Sequence, residues 1–425
     1  MKINKALFLI ALFAAAAPAR AGELDILLDR LVDKSVLEPG EAQEIRIGTQ
    51  EELKKEISQQ RNATLPMWVQ TLKFRGDVRI RYQYNNNENN LYKQNRARYR
   101  LRFFVDAKVN DKVYTGFGFA SGSSVDPRST NQTFADNFSK KPLWIDYVFA
   151  EYNASDYLAF TAGRNKNPLW LTNDMLWDAD INPEGLSARV TAPLNYNWQF
   201  FGNAGYFVLG EALAEPNDPG MFFAQPGVSW KDDGGVYDFK AGAAVYGLDH
   251  VKHHAVFANR PSAAEYQQSN TLAGGKYRYG YNSVSPELEV NANILDPVAL
   301  PLLGYFGYNI TYAGVYGNYI QAFEHARDNT GWIAGFKLGQ RKVEDAGQWQ
   351  LGWSIRQLEK DAWLDTYPDS DFYGGATNVK GQKTQLAVGL MRDFAVNLAW
   401  FDARPVSSAT RKRERLLQTD INLKF

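Results

Sequence analysis

Two groups of charged residues are spaced so that they could act on one solute together. Arg75, Arg79 and Arg81, with Asp77 among them, occupy alternate positions of one run, and Arg96, Arg98, Arg100 and Arg102 alternate in the next. Further along, one stretch brings Arg164, Lys166, Asp174, Asp178 and Asp180 close together in sequence. Guanidinium, ammonium and carboxylate groups in these patterns are fixed charges. They can set up a transverse field across a narrow passage, where charge selects what passes. The structural alternative is that arginines and acids simply neutralise one another and stiffen a wall. A spacing of two places each set on one face of a strand. The elements that must position them are therefore strands, with Phe74, Val78, Ile80 and Tyr82, then Ala97, Tyr99, Leu101 and Phe103, on the opposite face.

Other chemistry finds little support. The only histidines are His250, His253, His254 and His325, all in or beside expected loops. Adjacent His253 and His254 point apart, and no carboxylate follows at metal-ligand spacing. Asp249-His250 is the one faint hydrolase candidate, and adjacency in sequence does not align a dyad. The glycine-rich stretches 116–122 and 202–210 lie inside strand candidates, where they read as room for close packing and not as phosphate cradles. With no cysteine there is neither thiol chemistry nor a disulfide framework. No enzyme, catalytic residue, metal or cofactor is expected.

The N-terminus fixes the compartment. Lys2 and Lys5 precede an apolar run over 6–17, and Ala19-Arg20-Ala21 forms an A-x-A site. This reads as a signal peptide of residues 1–21, the apolar run being too short to span a bilayer. Cleavage removes three basic residues and leaves 44 against 47 acidic ones, which gives no case for nucleic-acid binding. No later stretch reaches the ~18 consecutive apolar residues of a membrane helix. Residues 22–66 differ from all that follows. Leu24, Leu27, Leu28, Leu31 and Val32 recur at helical spacing, and Thr49 with Glu52 has the spacing of a capping box. A periplasmic helical segment is expected there.

From residue 68 onward about sixteen strand candidates follow: 68–84, 94–109, 113–121, 143–152, 157–164, 185–192, 196–209, 222–230, 236–248, 280–294, 302–319, 332–341, 349–358, 383–391, 394–402 and 415–425. Short turns alternate with long polar loops between them, as in outer-membrane barrels. The last strand sets Leu417, Thr419, Ile421, Leu423 and Phe425 against Gln418, Asp420, Asn422 and Lys424. The expectation is a closed, all-β transmembrane antiparallel barrel over 67–425. Loop 165–184 is expected to fold into it. Trp170, Leu171, Met175, Leu176 and Trp177 are too apolar for a solvated loop and would pack on the inner wall. Asp174, Asp178 and Asp180 would then face the arginines.

These features resemble the putative porin family of Gram-negative bacteria, and more distantly the 16-stranded general and phosphate-selective porins. The resemblance is carried by FRGDVRIRY at 74–82, the 96–102 arginine ladder with Phe103-Phe104, the 165–185 loop and terminal Phe425. It implies passive diffusion of small hydrophilic solutes or ions across the outer membrane, through a trimer embedded in lipid. A terminal aromatic of this kind also resembles the signal read by the barrel assembly machinery. Phosphate-selective relatives concentrate lysines in the pore, whereas arginines face aspartates here. A competing expectation is a tether or adhesin, with a non-conducting barrel anchoring a 22–66 segment that contacts the cell wall.

Overall fold

The computed structural model describes residues 66–88, 92–135, 137–211, 217–257, 269–299, 309–407 and 412–425, with isolated positions between 32 and 51. The expected signal peptide lies outside the described residues, as does most of the expected helical segment. Two compact units are distinguished, residues 1–70 and 71–425. In the first, Met67–Gln70 forms one helical turn, so Trp68, expected to open the first strand, is helical.

The second unit is a barrel of sixteen long strands. They are β1 (Lys73–Asn87), β2 (Gln94–Lys108), β3 (Val113–Ala120), β4 (Trp144–Asn153), β5 (Leu158–Arg164), β6 (Glu184–Pro193), β7 (Trp198–Val208) and β8 (Gly220–Lys231). There follow β9 (Tyr237–Asp249), β10 (Ser283–Ala299), β11 (Asn309–Ala322), β12 (Thr330–Gly339), β13 (Trp349–Leu358), β14 (Val379–Met391), β15 (Phe394–Pro405) and β16 (Glu414–Lys424). Each pairs antiparallel with the next, and β1 pairs with β16 from Asp77–Lys424 to Asn87–Glu414. That last pairing closes the sheet and leaves no free edge. The strand expected at 302–319 begins only at Asn309 among the described residues, and the one expected from Lys383 begins four residues earlier, at Val379.

Alternation explains why this sequence closes on itself. Ile80, Tyr82, Phe117, Phe119, Val148, Phe222, Val245, Val315, Ile421 and Leu423 are exposed on the outside. So broad an apolar surface would be a liability in water and is what lipid requires. The opposite parity carries Arg81, Gln83, Asn85, Gln225, Glu287, Asn291, Arg356, Gln418 and Asp420, all buried. The core is therefore inside the barrel, and it is built largely from loops. Residues of the connections 165–183 and 359–378 pack together with the inner faces of β7, β8 and β9.

Candidate functional site

Register places the two arginine ladders side by side. Arg79 lies opposite Arg100 and Arg81 opposite Arg98, so like charges face each other across the β1–β2 seam. Such pairs are unfavourable unless acids intervene. Asp77 accepts from Arg100 Nε at 2.8 Å and from Arg102 Nε at 2.8 Å. Asp420 on β16 accepts from Arg81 Nε and Nη2 at 2.7 and 2.8 Å, a bidentate pair. Arg79 reaches Asn131 Oδ1 at 2.6 Å.

The first inward loop, 165–183, is seated by its apolar residues. Met175, Leu176 and Trp177 are buried, and Trp177 packs on Phe207 of β7 and donates to the Tyr246 hydroxyl of β9 at 3.3 Å. Glu287 of β10 accepts from both the backbone N–H and the hydroxyl of Thr172. The loop's three acids then part company. Asp180 turns to the ladder, 3.3 Å from Arg102 and 3.9 Å from Arg100, and accepts from the Thr130 hydroxyl at 2.9 Å. Asp174 does not face the ladder as expected. It pairs across the barrel with Arg356 of β13 at 2.9 Å and Lys383 of β14 at 2.6 Å. Asp178 has no ion pair among the described residues and accepts from the backbone N–H groups of Asp180 and Ser370.

Ser370 belongs to a second inward loop, 359–378, which sequence reasoning took for an ordinary polar loop. Tyr367 stacks on Trp177 with ring centroids 4.7 Å apart, and Trp363 donates to the Leu176 carbonyl at 2.8 Å. The Asp178 N–H donates to the Tyr367 carbonyl at 2.7 Å. This loop brings Asp371 to within 2.8 Å of Arg81 Nη1. It also sets Asp369 3.7 Å from Lys383 and 3.8 Å from Arg356. The signal that revealed the first loop was present here as well. Trp363, Leu364, Tyr367, Phe372 and Tyr373 are too apolar for solvent, and all are buried.

Burial and charge then sort the acids. Burial alone would raise Asp174, Asp180 and Asp371, yet adjacent cations hold all three below the ordinary carboxylate value: Lys383 and Arg356 for the first, Arg100 and Arg102 for the second, Arg81 for the third. Asp178 is raised well above it by burial, then by Asp369 and Asp180. Asp369 is pushed up to about 7 by burial and by Asp174.

A cleft of about 360 Å³ opens among these groups, lined by Arg79, Arg81, Arg100, Asp174, Asp178, Asp180, Asp369, Asp371, Lys383 and Asp420. Arg75, Arg102 and Lys166 instead line a second cleft of about 480 Å³ toward the short-turn end, with Arg100 shared between the two. Arg96 and Arg98 line neither. Arg98 contacts Ser129 and the Asn131 carbonyl, and Arg164 pairs with Glu184. Among the described residues no three His, Asp or Glu side chains are grouped to hold a metal.

Arginine-lined β1 and β2, the inward loop 165–183 and a closed sixteen-strand wall agree with a family model described as putative porin, which matches residues 83–284 and 259–425. The chain belongs to the putative porin family. This porin's fold is similar to that of Pseudomonas putida OprB in its high-pH structure, with a TM-score of 0.51 and 9% identity over 84% of this chain and 95% of that one. Salmonella typhi OmpF in complex with daunomycin gives a TM-score of 0.49 at 10% identity, covering 83% and 97% of the two chains. A triple mutant of the Rhodopseudomonas blastica porin gives 0.44 at 8% identity, covering 83% and 100%. At such identities OprB speaks for the fold alone, and the other two, below 0.5, carry no argument. None of the curated proteins matches the chain in sequence. Family and fold are those of an outer-membrane porin channel of Gram-negative bacteria.

Proposed function

We propose that the barrel is a passive, weakly charge-selective diffusion channel for small hydrophilic or charged solutes, acting as a homotrimer in outer-membrane lipid and catalysing no reaction. The observation that carries this reading is the open cleft between the wall cations and the acids of the two inward loops. A solute crossing it would pass between opposed charges in a water-poor constriction, where a field is screened little. The balance of charge supports weak selectivity. Arg79, Arg81, Arg100, Arg128 and Lys383 line the cleft against six aspartates, and two of those six, Asp178 and Asp369, hold their protons more tightly than ordinary carboxylates. In this reading the barrel assembly machinery recognises Phe425.

Single-channel recording in a planar bilayer tests the proposal. Stable ohmic steps are expected, with a small reversal potential under a salt gradient. Arg79→Ala combined with Arg100→Ala, both in the cleft lining, should move that potential toward cations. A folded, inserted barrel that carries no current would overturn the reading.

A further inference from the structure

The second cleft has a charge distribution quite unlike the first. Seven cationic side chains line it and only one carboxylate side chain, Asp77. Three of the cations crowd a single ring. The guanidinium carbons of Arg75 and Arg102 and the Lys166 ammonium lie 5.2, 5.8 and 5.7 Å from the Phe104 centroid. Arg341 and Lys342 come from the β12–β13 turn, which is anchored three strands away by Arg341 on Asp238 of β9 at 2.7 and 3.0 Å. Lys424 enters from β16.

Acids neutralise this basin only in part. Arg75 is held by Asp106, Arg102 by Asp77, Arg341 by Asp238, and Lys342 lies 3.8 Å from Glu344. Neither Lys166 nor Lys424 has a carboxylate within ion-pair distance among the described residues. The lysine ammonium on the first inward loop is held below its ordinary value by burial, then by Arg102 and Arg75. Part of the positive field is thus left uncompensated by the protein's own acids, and a mobile anion would relieve it.

We propose that this basin binds a multiply charged oxyanion, a phosphate or a small polycarboxylate, on the short-turn side of the constriction. The cleft, at about 480 Å³, has room for such an ion with part of its hydration. Fixed arginines supply paired donors, and the two unpartnered lysines supply free charge. The site goes beyond diffusion as such, because the anion need not cross the constriction. Binding there would fill the approach from one end only.

The test is citrate or inorganic phosphate added to one side of a single reconstituted channel, then to the other. Brief current blocks are expected from one side only. Lys166→Gln combined with Lys424→Gln should raise the concentration needed at least tenfold. Equal block from both sides, or an unchanged concentration in the double variant, would overturn the site. Equilibrium dialysis of radiolabelled phosphate against the detergent-folded barrel separates this from the channel proposal. Saturable binding without conductance would keep the site and sink the channel. Absence of saturable binding in a conducting barrel would do the reverse.

Discussion

Arg81 and Arg75 sit on the same face of β1, yet water decides that they matter differently. The Arg81 side chain is 5% exposed between Asp371 and Asp420, whereas Arg75 is 49% exposed beside Asp106. Removing one partner of a buried pair costs about 3–5 kcal/mol, because the other charge stays behind without its counter-ion. A solvated pair contributes about 0–1 kcal/mol. Arg81→Ala should therefore lower the urea midpoint of the refolded barrel markedly and Arg75→Ala scarcely, and equal midpoints would refute the distinction. Asp369 adds a pH dependence. As an acid raised to about 7, it gains negative charge as pH rises through that value, which favours cations. The reversal potential should step toward cation selectivity around pH 7, and Asp369→Asn should remove the step. If the step survives in that variant, Asp369 is not its origin. Parity made the arginines legible in sequence, but their partners were not. Asp371 and Asp420 lie 290 and 339 residues from Arg81. Only closure of the barrel and folding of a loop bring them together, and neither leaves a local spacing.

At the scale of elements, what lines the charged cleft is a lock of two loops and not the work of one. Trp177 is its pin, stacked on Tyr367, edge-on to Trp363 at 5.8 Å and bonded to Tyr246. Replacing a large buried aromatic by alanine costs about 3–5 kcal/mol, here taken from the docking of two loops that share one buried apolar cluster. Trp177→Ala should leave the strands paired while loosening the acids from the cations. The expected readout is a larger single-channel conductance with greater open-channel noise. Unaltered conductance would mean that the remaining contacts between the loops hold the acids in place without Trp177. Only half of this lock was legible. Loop 165–184 drew attention because its tryptophans and leucines stand beside three aspartates. The same mixture at 361–373 is harder to read, because it sits within a longer polar loop. Asp174 was misdirected for a related reason. Its partners Arg356 and Lys383 lie on β13 and β14, and sequence order does not say which strands a descending loop will reach.

The whole barrel was the most legible feature, because closure repeats one simple rule sixteen times. Period-two alternation fixed the faces, and the alternation of short and long connections fixed the direction of each strand. What the rule left open is the seam. Gly76 and Phe425 exchange backbone hydrogen bonds of 2.7 and 3.0 Å, one residue beyond the last β1–β16 pair. The Phe425 ring lies over Gly76, where a Cβ would come within 2.6 Å of it and equally within 2.6 Å of the Arg102 carbonyl oxygen. The two contacts differ in kind, since a ring can rotate away whereas a carbonyl held in the β1–β2 ladder cannot. Gly76→Ala should therefore slow closure of the barrel, read as a smaller folded fraction by heat-modifiable gel mobility after a fixed refolding time. Phe425→Ala should reduce that fraction too, by uncovering the end of the seam. If the backbone contact dominates, adding Phe425→Ala to Gly76→Ala will not restore folding. Recovery in the double variant would show instead that the terminal ring was the obstacle and that the ladder had yielded.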